Sequence, residues 1–331
     1  MSLRAPFPWF GGKSRAADLI WKRFGNVPNY VEPFAGSLAV LLSRPHEPKT
    51  ETVNDLDCYL ANFWRALAAD PEAVARHADW PVNEADLLAR HRWLQSRTDF
   101  RAAMRDDPEY YDAKIAGWWV WGLCSWIGSG WCRYDAHARV PDQLPHLGNA
   151  GMGVHRPSQK LPHLGNAGRG VHRPSQKLPH LGDAGRGVHD YFAALAARLR
   201  RVRVACGDWS RVLGESVTVK HGMTAILLDP PYGDDEHGVR YSAHSSVAAD
   251  VRAWALANGS NPLLRIALCG YAGEHEMPEW TEVAWKARGG YGSQANARGR
   301  ENAKRERIWF SPHCLKVNVE QPSLLEGVEC A

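Results

Sequence analysis

The chain has 331 residues, 44% of them hydrophobic and 23% charged. That composition supports one large or two ordinary packed domains, and it excludes a disordered, collagen-like or membrane-spanning chain, since no apolar run approaches the roughly 18 residues a span needs. The net charge of +4, from 40 Lys and Arg against 36 Asp and Glu, permits a polyanionic partner without arguing for one.

Asn29 to Phe34 reads as a short strand, Ala35-Gly-Ser as a turn, and Leu38 to Leu42 as the start of a helix. Thr52 to Asp55 is a second strand, followed by a helix over Tyr59 to Ala68. This βαβα alternation predicts a parallel sheet. Residues 66–135 differ: apolar residues at helical spacing dominate, as over Ala85 to Gln95 and Tyr110 to Trp121, and they predict a helical insertion.

Residues 144–189 are an internal repeat of period 17, with Leu-Pro-His-Leu-Gly starting at Leu144, Leu161 and Leu178. Its Gly and Pro content disfavours helix and long strand. It reads either as a duplicated surface loop or as an extended basic loop near a polyanion. The α/β pattern resumes with a helix over Tyr191 to Arg200. Strands follow at Val202 to Cys206, Thr224 to Leu228, Arg265 to Cys269, Glu282 to Trp285 and Arg307 to Phe310. Seven strands are therefore expected, split into two groups by the insertion.

The seven cysteines are irregularly spaced and form no CxxC pair, so no zinc or redox motif is indicated and no metal is expected. The N-terminus lacks the apolar stretch of a secretory leader, and the chain is expected in the cell interior, the cytoplasm. Fifteen residues are Trp, five of them at 118, 119, 121, 126 and 131. At helical spacing, Trp118, Trp121 and Trp119 are expected in a core rather than in a base-stacking row.

Four segments carry chemistry. Pro8 to Lys13 joins an aromatic face, two glycines and a cation. Val31-Glu-Pro-Phe-Ala-Gly-Ser37 sits where a strand feeds a helix, the ligand-binding place of doubly wound folds. Asp55 follows Gly36 by 19 residues, where a ribose diol is usually gripped, yet no GxGxxG is present. A mononucleoside ligand such as S-adenosylmethionine fits better than a dinucleotide. The fourth segment is Leu228-Asp-Pro-Pro-Tyr232. Its prolines fix the backbone and remove two N–H donors, leaving carbonyl and carboxylate acceptors beside a flat ring.

Trp9-Phe-Gly-Gly-Lys13, Glu32-Pro-Phe-Ala-Gly36, Asn54-Asp55 and Asp229-Pro-Pro-Tyr232, in that order, resemble the Dam-type class of DNA adenine-N6 methyltransferases. Gly128 to Tyr134 and Val140-Pro141 resemble that family's recognition region, and Gly289 to Phe310 its closing strands. Leu38 stands where family members often carry a second glycine, and the repeat has no counterpart in the shortest members.

The resemblance implies an α/β, Rossmann-like methyltransferase with a mostly parallel seven-stranded sheet. Residues 1–65 and 190–320 would form the S-adenosylmethionine-binding catalytic domain. Residues 66–189 would be the helical target-recognition insertion, and 321–331 a flexible tail.

The reaction implied is methyl transfer to N6 of an adenine flipped out of double-stranded DNA, by a monomer or weak dimer with no membrane partner. Asp229, Pro230, Pro231 and Tyr232 would be catalytic. Trp9, Gly12, Lys13, Glu32, Phe34, Gly36, Asp55, Asp208, Trp209 and Asp229 would hold the cofactor. Arg133, Tyr134, Tyr241, Arg298, Arg300 and Lys304 would contact DNA, the last three within a segment, Lys286 to Arg307, holding seven Lys and Arg. A cytosine-N4 methyltransferase and a catalytically silent DNA-binding relative are the alternatives.

Overall fold

The computed structural model describes residues 3–7, 9, 12–126, 131–132, 187–231, 242–285 and 305–317, with the side chains of 242–246 excepted. The repeat, the DNA-contact candidates Arg133, Tyr134, Tyr241, Arg298, Arg300 and Lys304, and Tyr232 lie outside the described residues.

Strands β1 (Asn29–Glu32), β2 (Thr50–Asp55), β3 (Val202–Cys206), β4 (Thr224–Leu228), β5 (Leu264–Tyr271), β6 (Thr281–Ala284) and β7 (Glu306–Phe310) form one sheet. Its order is β3-β2-β1-β4-β5-β7-β6. The first five strands are parallel, and β7 runs antiparallel to both β5 and β6. All seven expected strands are present. The sheet is mostly parallel, as expected for a Rossmann-like fold.

Residue alternation explains the layering. On β4, Ala225 and Leu227 join one core cluster, while Ile226 and Leu228 join another. Successive side chains of a strand point to opposite faces, so both faces are buried, as a parallel sheet requires. Helices α1 (Ala17–Phe24) and α3 (Cys58–Ala69) supply the first cluster through Ile20, Phe24, Phe63 and Trp64. Helix α9 (Ser242–Asn258) supplies the second through Val251 and Ala255.

Between β2 and β3 the chain is helical among the described residues: α4 (Pro71–Ala78), α5 (Glu84–Ser96), α6 (Asp99–Asp106), α7 (Ala113–Ser125) and α8 (Gly187–Leu199). Side-chain caps set several starts. Asp57 accepts from Tyr59 and Leu60 N–H at α3, Asp70 from Ala73 at α4, and Asp112 from Ile115 at α7. The Asp112 cap moves the start of α7 to Ala113, past the expected Tyr110.

The helix α2 (Ala39–Leu42) is only four residues long. It is entered through Gly36 at φ 48° and Leu38 at φ 57°. Leu38 thus adopts the left-handed conformation that glycine takes without cost, and its side chain is fully buried.

The tryptophans divide between packing and ion stacking. Trp119 and Trp121 on α7 are buried at 2% and 0% exposure. Trp119 meets Phe7 at 5.5 Å and Trp9 at 6.4 Å between ring centroids, joining α7 to the N-terminal segment. Trp118 stays half-buried between cations, with the Lys114 ammonium 4.5 Å and the Arg90 guanidinium 4.9 Å from its ring. Arg90 also lies 4.2 Å from Trp121 and 5.2 Å from Trp80. Trp131 packs so closely on α7 that a Cβ at Gly122 would sit 1.8 Å from its ring. Trp119 and Trp121 pack in the core as their spacing predicts, whereas Trp118 is only half-buried.

Among the described residues, no helix is long and apolar enough to cross a membrane.

Candidate active site

The sheet order reverses between β1 and β4, because the chain leaves β1 toward β2 on one side and β4 toward β5 on the other. Ligands of open α/β sheets bind outside the carboxyl ends of the strands at such a point. Four sequence segments end there: Glu32-Pro33-Phe34 after β1, Asp55 on β2, Gly207-Asp208-Trp209 after β3, and Asp229-Pro230-Pro231 after β4. Segments separated by up to about two hundred residues thus share one edge.

The loops are stitched together by buried hydrogen bonds. Asn54 Nδ2 donates to Pro33 O at 3.0 Å and to Gly207 O at 2.9 Å, tying the three strand ends. Gly36 N–H donates to Asp55 Oδ2 at 3.1 Å, and Asp57 N–H to Asp55 Oδ1 at 2.9 Å. Burial pushes the Asp55 carboxyl up to about 7, against the backbone N–H bonds from Asp57 and Gly36 that pull it down. Its ionisation is therefore poised near neutrality.

Gly36 is required for a steric reason besides its positive φ. A Cβ there would lie 2.7 Å from Trp9 Cδ1. The half-buried Trp9 ring lies directly on this turn, and Trp64 Nε1 donates to Gly36 O from below at 3.1 Å. Gly12 is exposed, with its N–H bonded to Trp9 O at 3.2 Å.

Lys13 joins two carboxylates at this edge. Its side chain is 3% exposed, and Nζ stands 2.9 Å from Asp229 Oδ1 and 3.8 Å from Glu306 Oε2. Burial works against the ammonium, but the charges of Asp229 and Glu306 outweigh it and hold its pKa above the ordinary lysine value. Glu32 faces inward and is buried, with Tyr30 OH donating to Oε2 at 3.0 Å. Burial pushes its carboxyl well up, and the nearby Asp229 adds to this.

Phe34 and Trp209 are half-buried and stack at 6.3 Å with a 24° interplanar angle. Asp208 is exposed and accepts from Ser210 N–H at 2.9 Å, capping the turn that carries Trp209. Pro230 is buried and Pro231 exposed.

The structure thus brings Trp9, Lys13, Phe34, Gly36, Asp55, Trp209 and Asp229 to one edge of the sheet. It adds two residues the sequence reading did not single out. Leu56, beside Asp55, is an apolar side chain left 66% exposed at that edge; its signal was an isolated Leu between two aspartates. Glu306 was counted within a basic loop. It instead begins β7 and is buried, because its register opposite Tyr271 turns it inward.

No group of three or more His, Cys, Asp or Glu suited to a metal ion is found among the described residues. No curated protein matches the chain. Residues 9–132 match the family model described as D12 class N6 adenine-specific DNA methyltransferase. Over those residues the chain is similar to that class, and its mostly parallel seven-stranded sheet is consistent with a Rossmann-like methyltransferase fold.

Proposed function

We propose that the chain transfers a methyl group from S-adenosylmethionine to N6 of an adenine flipped out of double-stranded DNA, with Asp229 at the reacting centre. The observation that carries this reading is Asp229 at the carboxyl end of β4, at the sheet's switch point, pinned by Lys13 at 2.9 Å.

The donor set fits the cofactor's chemistry. A nucleoside with a ribose diol and positive charge needs carboxylate acceptors and flat faces, and it needs no phosphate nest. Asp55 would accept the ribose hydroxyls, while Trp9, Phe34 and Trp209 offer aromatic faces; Gly12, Lys13, Glu32, Gly36 and Asp208 shape the surroundings. When bound, S-adenosylmethionine supplies the methyl: the N6–C bond forms as the C–S bond breaks, sulfur keeps that pair as a thioether, and one N6 proton goes to solvent.

The chain's task is the amine. The N6 lone pair is delocalised into the ring, and two acceptors on its hydrogens localise it. Asp229 and the Pro230 carbonyl supply them, held by two prolines that cannot donate. Positioning and stabilisation of charge growing on N6 then provide the catalysis. The target must leave the duplex, and Tyr232 would stack on it.

DNA would be gripped by Arg133, Tyr134 and Tyr241 and by the segment holding Arg298, Arg300 and Lys304. That segment joins β6 to β7 and returns at Glu306, opposite Tyr271 at the carboxyl end of β5, on the edge of the sheet that carries Asp229. Helices α4 to α7 would belong to the target-recognition unit.

The test is nucleoside analysis of digested DNA after reaction with the wild type and with Asp229→Ala. The expected product is N6-methyladenine, lost in the variant while its melting transition persists. A fully active Asp229→Ala, or N4-methylcytosine as the product, overturns the reading.

A further inference from the structure

One cation serves two carboxylates at the carboxyl edge of the sheet. Lys13 Nζ lies 2.9 Å from Asp229 Oδ1 and 3.8 Å from Glu306 Oε2, and the Lys13 and Glu306 side chains are only 3% and 8% exposed. The two acids come from different strand ends. Asp229 follows β4, while Glu306 is fixed on β7 by its pairing with Tyr271 on β5. Each therefore holds its place without the other.

This sharing resolves a conflict in what Asp229 must do. A carboxylate committed to an ammonium is a weaker acceptor for an amine. If Asp229 turned toward the amine alone, the buried Lys13 ammonium would lose its nearest carboxylate, which is unfavourable in a closed site. Burial pushes the neighbouring Glu32 carboxyl and Cys269 thiol toward their neutral forms. Tyr271, on β5, is likewise pushed up by burial.

We propose that Glu306 is a positioning residue for methyl transfer: it shares the Lys13 ammonium with Asp229 and takes up that charge as Asp229 turns its carboxylate to the target amine. The proposal rests on Asp229 being the acceptor for N6. Glu306 acts through Lys13 and need not touch the substrate. The unequal distances describe the resting state, in which Lys13 leans on Asp229. Without the Glu306 charge, Lys13 stays there, and the amine meets a carboxylate already occupied.

The experiment measures single-turnover rate, KM for S-adenosylmethionine and for DNA, and melting temperature in Glu306→Gln, Glu306→Asp and Asp229→Ala. Glu306→Gln is expected to slow the single-turnover step roughly tenfold to a hundredfold with both KM values within about twofold of wild type, the pattern of an interaction made in the transition state. Glu306→Asp, which keeps the charge at shorter reach, is expected to fall between the two. A wild-type rate in Glu306→Gln overturns the proposal, as does a loss in both variants that only tracks the folded fraction. Should Glu306→Gln fail to fold, Glu306→Asp decides: a slowed step at unchanged KM supports the proposal and an unchanged rate overturns it. An inactive Asp229→Ala beside a fully active Glu306→Gln overturns this proposal alone. A fully active Asp229→Ala, which has no side-chain acceptor, overturns the reading of the site and this proposal with it.

Discussion

Lys13 reaches from the N-terminal segment to Asp229 after β4, 216 residues later, and its ammonium stands 2.9 Å from Oδ1. The contact ties the first motif of the chain to the last one at the carboxyl edge of the sheet. Because Lys13 is 3% exposed, removing it takes a close opposite charge away from the partly buried Asp229. Lys13→Met is expected to lower stability by up to about 3 kcal/mol, below a fully enclosed pair because Asp229 keeps 22% exposure. It should also depress methyl transfer. Denaturant unfolding and a transfer assay on the same sample check both. Lys13→Arg should not rescue activity, since a planar fork does not fit a point-charge site.

The carboxyl of Asp55 gives a pH prediction. Its pKa is raised by burial to about 7, so near neutrality part of the population is protonated. A protonated carboxyl is a poorer acceptor for hydroxyl donors. If Asp55 takes the ribose diol, kcat/KM for the methyl donor should rise with pH through an apparent pKa near 7, the value in the free enzyme. The sign follows because binding favours the ionised form. Asp55→Asn should lower kcat/KM and flatten this limb, measured from pH 6 to 8.5 at saturating DNA.

Leu38 sets backbone strain against core packing. Its φ of 57° costs a non-glycine residue about 1–2 kcal/mol. Its fully buried side chain is worth more, since Leu→Ala truncations in cores cost about 3–5 kcal/mol. Leu38→Gly is therefore expected to be net destabilising by about 1–3 kcal/mol, despite relieving the strain. Equal or higher stability by thermal unfolding would show that the strain dominates.

Arg90 sits among Trp80, Trp118 and Trp121 at 5.2, 4.9 and 4.2 Å from their rings. It is 7% exposed, so these contacts act largely out of water. Arg90→Met keeps the volume and removes the charge. It is expected to destabilise by about 1–2 kcal/mol and to shift tryptophan emission, with KM for the methyl donor unchanged. An unaltered melting curve would show that only packing matters there.

What the sequence determined by itself is local. Periodicity and β-branched runs marked the seven strands, because burial on two faces leaves continuous apolar stretches such as Thr224 to Leu228. The prolines of Asp229-Pro-Pro and the turn at Gly36 were legible because their backbone chemistry is written in residue type. Less legible were α1, α4 and α6, at eight residues each, because so short a helix takes its stability from what it packs on.

Charge partners were the other gap. Glu306 sits among basic residues in sequence, and composition alone places it in a solvated loop. Only the antiparallel register of β7 against β5 turns it inward toward Lys13. The same holds for Asp55, whose carboxyl is marked by position but whose poise near neutrality comes from burial and two backbone amides. Residue type fixes which groups can ionise. Which of them share one low-dielectric site is decided by strand order and register, because Coulomb interaction and desolvation depend on distances that no local pattern encodes.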